Sequence, residues 1–245
     1  MRSLSRLFLA ASLLLAPAHS LFAQTEVDPS GHWTGAVHVP AFDRNPARDV
    51  AIEIDLAKNA SGALAGTFGQ PAQGVKGLPL SAIAANGTSI SFEIKVSDGG
   101  VFNGTLSDAT TMTGKFVTTQ GGHAIPFSLT RTGDARIAPA PKNAAIGKEL
   151  EGTWNGSLDV GGKSERLVLK MANQSDGTAI ATIVDLDGSG IEIPIAVTQQ
   201  AEHVGLDIAV VGGSYAGVLN AGTELVGTWT QGPVTLPLTF KRAAK

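Results

Sequence analysis

Hydrophobic and polar residues alternate through most of the chain after residue 30. Residues 50–56, 90–96 and 204–210 each place an apolar side chain at every second position. This period of two is typical of a β-strand with one buried and one solvated face. Turn sequences such as Asn86-Gly87 and Asp98-Gly99-Gly100 separate the runs. The pattern predicts about eight short strands in each half of the chain and no helix of three turns.

The strand pattern is duplicated, because the two halves share motifs in the same order. Residues 31–35 (GHWTG) match residues 152–156 (GTWNG), and residues 102–106 (FNGTL) match residues 215–219 (YAGVL). Within each motif the difference in residue number between the two copies is constant, and it changes only between motifs. The copies therefore differ in their loops, and the repeat predicts two related domains.

Strands in simple succession favour an up-and-down meander that closes into a barrel, since closure removes the exposed sheet edges. An open or sandwiched sheet is the alternative. We predict an all-β protein of two tandem eight-stranded up-and-down barrels, at residues 24–134 and 149–245. Residues 135–148 form the predicted linker, in which Ala138-Pro139-Ala140-Pro141 is an extended spacer.

The N-terminal residues 1–23 have the features of an export signal. Arg2 and Arg6 precede an apolar run at 7–16, and Ala23 is the preferred cleavage position. The run is shorter than the roughly 20 apolar residues of a membrane span, although an uncleaved anchor is the alternative. No cysteine follows, so a lipoprotein is not expected. We predict an exported protein, periplasmic or extracellular, without stable membrane insertion.

Composition narrows the chemistry further. The 245 residues contain no cysteine, thirty glycines and a formal charge of −3. Disulfides, thiol nucleophiles and zinc–thiolate sites are thereby excluded, and the scattered basic residues argue against nucleic-acid binding. Residues 212–216 (GGSYA) lack the last glycine of a nucleophile elbow and precede a strand. Residues 185–190 (DLDGSG) begin like a calcium loop, but Ala196 occupies the position of its bidentate glutamate. We expect no catalysis, metal or cofactor.

The Gly-x-Trp motif near the start of each copy, with a basic residue in the last strand, resembles the lipocalin-type barrel signature. In that family the tryptophan packs under the cationic side chain. The resemblance, together with the inward parity of these positions, implies two structural closing pairs, Trp33 with Arg131 and Trp154 with Arg242.

The whole pattern also resembles lipocalin-like accessory domains of exported bacterial proteins, which often precede an α/β-hydrolase domain. Residues 215–220 (YAGVLN) and 227–232 (GTWTQG) carry this resemblance. It covers residues 31–131 and 152–242, although copy one has Gly114-Lys115-Phe116 in place of Gly-Thr-Trp. The chain ends at Lys245 with no room for a hydrolase domain, so the resemblance implies a non-catalytic module.

Two functions follow from these expectations. The first is an accessory or interaction protein that serves a separate exported protein. The alternative is a carrier of a small apolar ligand inside one or both barrels, since eight strands leave space for side chains or one small ligand. A remote alternative is a hydrolase-associated fragment with no activity of its own. In copy one the predicted lining is apolar: Val37, Ile52, Ile54, Leu64, Ile94, Phe102 and Phe127. A fully packed interior is the competing interpretation.

Binding groups are expected on the open rim of copy one, opposite the closing pair. This rim gathers residues 40–49, 69–76, 97–100 and 119–123. If Val50 matches Leu167, the first of these loops is expected to be four residues longer than its counterpart in copy two. Loops held by a rigid scaffold often carry binding residues. The predicted contacts are Phe42 as a cap on the mouth, Arg44 and Arg48 toward an anionic group, and the neutral residues Gln120 and His123. A solvated loop balanced by Asp43 and Asp49 is the alternative.

Overall fold

A computed structural model of the protein describes residues 27–95, 99–119, 122–188 and 190–244. The predicted signal peptide at 1–23 and the predicted rim residue Gln120 lie outside these ranges. Within them, no helix has the length and apolar character needed to cross a membrane.

Copy one folds into a nine-stranded antiparallel sheet that curls into a nearly closed barrel, here called barrel one. A 3₁₀ turn at Pro71–Gln73 precedes its fourth strand. The strands are β1 (Gly31–Val39), β2 (Arg48–Lys58), β3 (Leu64–Gln70), β4 (Val75–Pro79), β5 (Ser81–Asn86), β6 (Ser89–Ile94), β7 (Gly100–Leu106), β8 (Thr111–Thr118) and β9 (Ile125–Gly133). The sheet order runs β4-β3-β2-β1-β9-β8-β7-β6-β5.

Copy two repeats this arrangement as barrel two. A 3₁₀ turn at Ala209–Val211 precedes β17. The strands are β10 (Asn143–Ala144), β11 (Gly152–Val160), β12 (Lys163–Asn173), β13 (Thr178–Asp185), β14 (Glu192–Pro194), β15 (Ala196–Gln200), β16 (His203–Ile208), β17 (Gly213–Asn220), β18 (Glu224–Gln231) and β19 (Val234–Arg242). The two barrel-like sheets confirm the predicted all-β tandem fold.

Each meander, β1–β9 and β11–β19, has nine strands where eight were predicted, because its proline-containing strand is split in two. The short strand β10 joins barrel two in addition, by pairing with β13. In barrel one the split lies at Leu80: β4 pairs with β3, whereas β5 pairs with β6. Leu80 still donates its N–H to the Gly66 carbonyl at 2.9 Å. Pro79, which precedes it, has no N–H and cannot pair on both sides. Ile195 repeats the split in barrel two, with its N–H 3.0 Å from the Ala181 carbonyl.

The predicted linker is tied to both barrels. The Arg136 N–H donates to Asp55 Oδ1 at 2.7 Å, and the same carboxylate lies 2.9 Å from Nδ1 of buried His32 on barrel one. At the other end, the Asn143 amide bridges the split strand of barrel two, donating to the Ile195 carbonyl and accepting from the Val197 N–H. The second half of the predicted linker therefore belongs to the sheet of barrel two.

The first and last strands of each barrel meet at a tryptophan and an arginine. The Arg131 guanidinium carbon lies 5.0 Å from the Trp33 ring centre, and that of Arg242 lies 4.3 Å from the Trp154 ring centre. Both indoles are fully buried, and each donates its N–H to a backbone carbonyl at 2.9 Å. The end of each barrel is thus filled by a desolvated ring under a cation.

Deleting either ring tests how much this packing stabilises its barrel. Trp33→Ala and Trp154→Ala are each expected to lower the free energy of unfolding by about 3–5 kcal/mol, because a large core side chain leaves a cavity. Denaturant titration measures the loss. Phe42→Ala is the matched control, since that ring is 71% exposed. A loss below about 1 kcal/mol at either tryptophan would contradict a closing role.

Candidate functional site

Barrel one encloses a cavity of about 450 Å³ that opens at the end opposite Trp33. Every strand of barrel one except β5 contributes to its wall. Aromatic rings form much of the inner surface: the ring centres of Phe102 and Phe116 lie 4.5 Å apart, and Phe68 faces the same space. The lining residues are Val37, Val39, Arg48, Val50, Ile52, Phe68, Gln70, Gln73, Val75, Leu78, Ile94, Gly99, Phe102, Phe116 and Ile125.

The depth of the cavity follows from which interior residues are completely packed. Ile54 and Phe127 were both predicted to line it, but both are buried in the core and neither is among its lining residues. Ile54 pairs with Trp33, at the closed end of the barrel. Leu64 is half-buried and lies outside the lining. Val37, Ile52, Ile94 and Phe102 do line the cavity. The lower half of barrel one is therefore solid core, and the upper half is open.

Three polar side chains stand among the apolar residues of the lining: Arg48, Gln70 and Gln73. Arg48 begins β2 beside Val39, the last residue of β1. Within the described ranges, no carboxylate forms an ion pair with Arg48. Asp49 Oδ1 instead lies 2.8 Å from His38 Nδ1. The mouth thus presents one cation to an apolar interior, without a described counter-ion.

The structure separates the predicted rim residues from one another. All four described residues are exposed, but only Arg48 lines the cavity, whereas Phe42, Arg44 and His123 do not. Phe42 is 71% exposed and pairs with Asn45 in a tight turn, so its ring does not cap the mouth. Sequence reasoning missed Gln70 and Gln73 as individual contacts, although their segment, 69–76, was placed on the rim.

Barrel two has a smaller cavity, of about 260 Å³, at the equivalent place. Trp229 occupies the position of Phe116, since both pair with the matching residue of the last strand. Its lining also includes two acids, Glu165 and Asp185, and Leu78 from barrel one. The larger ring and the contribution of barrel one reduce this space, and the acids give its mouth the opposite charge.

Tyr215 lies deep in barrel two at the position that Phe102 holds in barrel one. Its side chain is 2% exposed and packs edge-on against Phe240, with ring centres 5.4 Å apart. The buried hydroxyl has no hydrogen-bond partner among the described residues. Burial raises the pKa of Tyr215 to about 12, because the charged phenolate would lose its hydration.

A hydrogen-bonded chain on the outer face of barrel one has the atom order of a catalytic triad. Asp49 Oδ1 lies 2.8 Å from His38 Nδ1, and His38 Nε2 lies 2.7 Å from Ser128 Oγ. A serine hydrolase also needs oxyanion donors and a substrate pocket beside the serine. Ser128 instead lies within β9, with β1 and β8 paired on either side, and neither barrel cavity is lined by the three residues. These hydrogen bonds link strands β1, β2 and β9 at the surface.

The acidic turn of copy two uses its carboxylates internally. Asp187 forms an ion pair with Arg166 at 2.6 Å, and this guanidinium lowers the pKa of Asp187 to about 2. Asp185 Oδ1 accepts the N–H groups of Asp187 and Gly188. Within the described ranges, no three histidine, aspartate or glutamate residues cluster as metal ligands.

No protein-family model matches the chain, and no curated protein matches it. The solved structures that are similar to it include two proteins that match most of its length. One is a candidate outer membrane protein of Bacteroides fragilis NCTC 9343, with 11% identity and a TM-score of 0.29, covering 87% of this chain and 97% of its own. The other is a DUF3598-family protein of unknown function from Nostoc punctiforme PCC 73102, with 13% identity and a TM-score of 0.25, covering 88% and 96%. At these TM-scores neither structure carries an argument about function.

The unpartnered hydroxyl of Tyr215 predicts the direction in which its removal changes the free energy of unfolding. Tyr215→Phe is expected to raise the free energy of unfolding by about 1–2 kcal/mol at neutral pH, since it removes a buried polar group without a partner. Copy one already places Phe102 at this position. Denaturant titration of the two proteins measures the difference, and a destabilised Tyr215→Phe protein would show that the hydroxyl has a stabilising contact.

Alkaline pH provides the internal check on the same variant. The raised pKa means that the unfolded chain releases the Tyr215 proton first, so wild-type stability falls as pH rises from about 10 toward 12. Tyr215→Phe is expected to lose less stability over that window. Equal losses in both proteins would show that Tyr215 does not titrate differently in the folded state.

Proposed function

We propose that the protein is a non-catalytic, exported ligand-binding module that holds a small apolar molecule in the cavity of barrel one. The observation that carries the proposal is the 450 Å³ cavity with its aromatic and aliphatic wall. Ligand sites in proteins are typically concave spaces of about 300–1,000 Å³, mostly apolar, with a few polar groups that orient the ligand. The cavity of barrel one has this size and this composition.

The exposure of interior residues supports the proposal further. Val39, Val50, Val75, Phe116 and Ile125 face the inside of barrel one yet remain partly exposed through the mouth. Leaving this apolar surface in contact with water costs about 25 cal/mol per Å². A bound apolar molecule would remove the surface from water without any change in the strands.

Export and kinship with lipocalin-like accessory domains belong to the same proposal. Export is supported by the charge and apolar pattern of residues 1–23. The kinship is supported by the tandem barrels and by the Trp–Arg pair at the end of each. An accessory role toward a separate exported protein stays a prediction, since no described surface favours one partner.

A neutral apolar fluorophore tests the proposed function. N-phenyl-1-naphthylamine is expected to bind the full-length protein saturably, with a blue-shifted and stronger emission, because it leaves water for the cavity. Phe116→Trp is expected to weaken this binding about tenfold or more, since the larger ring occupies space that the ligand needs. The fold should tolerate the change, because Trp229 occupies this position in barrel two.

The matched control enlarges a side chain on the outside of the same sheet. Val101→Phe adds a ring next to Phe102 but on the exposed face, so binding should stay unchanged. Equal affinities for wild type and Phe116→Trp would place the fluorophore elsewhere. If the fluorophore does not bind saturably to the wild-type protein, the proposed function is contradicted.

A further inference from the structure

The two barrel mouths differ in charge at equivalent positions of the repeat. Among the described residues that line the cavity of barrel one, Arg48 is the one that carries a charge. The pairing of β1 with β2 and of β11 with β12 shows that Glu165 of barrel two holds the position of Val50 in barrel one. The pairing of β2 with β3 and of β12 with β13 shows that Asp185 holds the position of Gln70. Lys163 holds the position of Arg48 in barrel two but does not line its cavity. The charged residues that line the cavities are therefore one arginine in barrel one and two acids in barrel two.

The cation of barrel one is not neutralised within the described part of the chain. Asp43 and Asp49, its nearest acids in the sequence, form no ion pair with it, and Asp49 is engaged by His38 on the outer face. Successive residues of a strand point to opposite faces, which places Asp49 outside and Arg48 at the mouth. The guanidinium therefore remains able to form a bidentate pair with an anion.

We propose that barrel one selects a monoanionic amphiphile, whose apolar tail fills the cavity while its carboxylate or similar headgroup binds Arg48. Gln70 and Gln73 stand on the same rim and can donate amide N–H groups to that headgroup. The tail lies against Phe68, Phe102 and Phe116. This assignment rests on the proposed function, which it deepens by naming the class of ligand.

Arg44 does not share this role, although it lies in the same loop. Like Arg48 it is exposed, but it lies outside the cavity lining. Arg44 and Arg48 therefore form a matched pair, since each substitution removes one positive charge from the loop and only one removes it from the mouth. A general attraction of the loop for anions would depend on both residues equally.

Decanoate and decan-1-ol, which differ only in the headgroup, provide the test. Their affinities are measured by displacement of N-phenyl-1-naphthylamine from the full-length protein. Wild type is expected to bind decanoate about five- to tenfold more tightly than the alcohol, since a charge-assisted hydrogen bond at a partly exposed site has a strength of this order. Arg48→Gln should abolish the preference by weakening decanoate alone, Arg48→Lys should retain part of it, and Arg44→Gln should leave it unchanged.

The possible failures are distinct. If both molecules displace the fluorophore but wild type shows no preference, or if the preference survives in Arg48→Gln, the headgroup assignment is wrong and the apolar site remains. If neither molecule displaces the fluorophore, the proposed function itself fails. If the protein ignores decanoate but co-sediments with phosphatidylglycerol vesicles through Arg48, the anion belongs to a lipid surface and the assignment of a free amphiphile is overturned.

Discussion

Closure of barrel one depends on how closely its first and last strands approach one another. A Cβ atom at Gly35 of β1 would lie 2.0 Å from the Ser128 carbonyl oxygen of β9, so any other residue there would push the two strands apart. Gly31 has a φ of +149° and leaves room for the Arg131 side chain, which would otherwise lie 3.0 Å from its Cβ. The Gly-x-Trp-x-Gly motif thus supplies a ring for the barrel end and two positions without side chains where the seam needs them.

Once the seam is closed, the interior depends on side-chain volume, and small differences between the copies change what the barrels contain. Phe116 becomes Trp229 and Phe102 becomes Tyr215, while the strands keep the same pairing. The cavity is about 450 Å³ in barrel one and about 260 Å³ in barrel two. Duplication followed by such substitutions leaves the fold unchanged and gives the two barrels different openings.

The sequence was sufficient for the fold but not for the site. Alternation in runs such as 50–56 predicted the strands, and the repeated motifs predicted two barrels, because both depend on residue spacing. The split at Leu80 was missed, since a proline in an apolar run does not reveal where hydrogen bonds change partner. The role of Asn143 was missed for a similar reason: a linker residue gives no periodic signal, and its two hydrogen bonds are formed only in the tertiary structure.

Within the candidate site, the sequence located the rim but did not distinguish its residues. Phe42, Arg44 and Arg48 were equivalent by composition and loop length. They differ because Arg48 is already the first residue of β2, whose strand geometry places it at the mouth, whereas Phe42 and Arg44 lie in the exposed turn before it. The hydrogen bonds of Asp49 and Ser128 to His38 were also beyond prediction, since they join strands far apart in sequence.

The central claim is that the upper half of barrel one is an apolar cavity and not a packed core. Apolar cavities take up xenon, whereas close-packed interiors do not. A crystal of the protein pressurised with xenon tests this directly and requires no knowledge of the natural ligand. The account predicts strong xenon density among Phe68, Phe102 and Phe116. A barrel one that excludes xenon, with side chains filling that space, would contradict it.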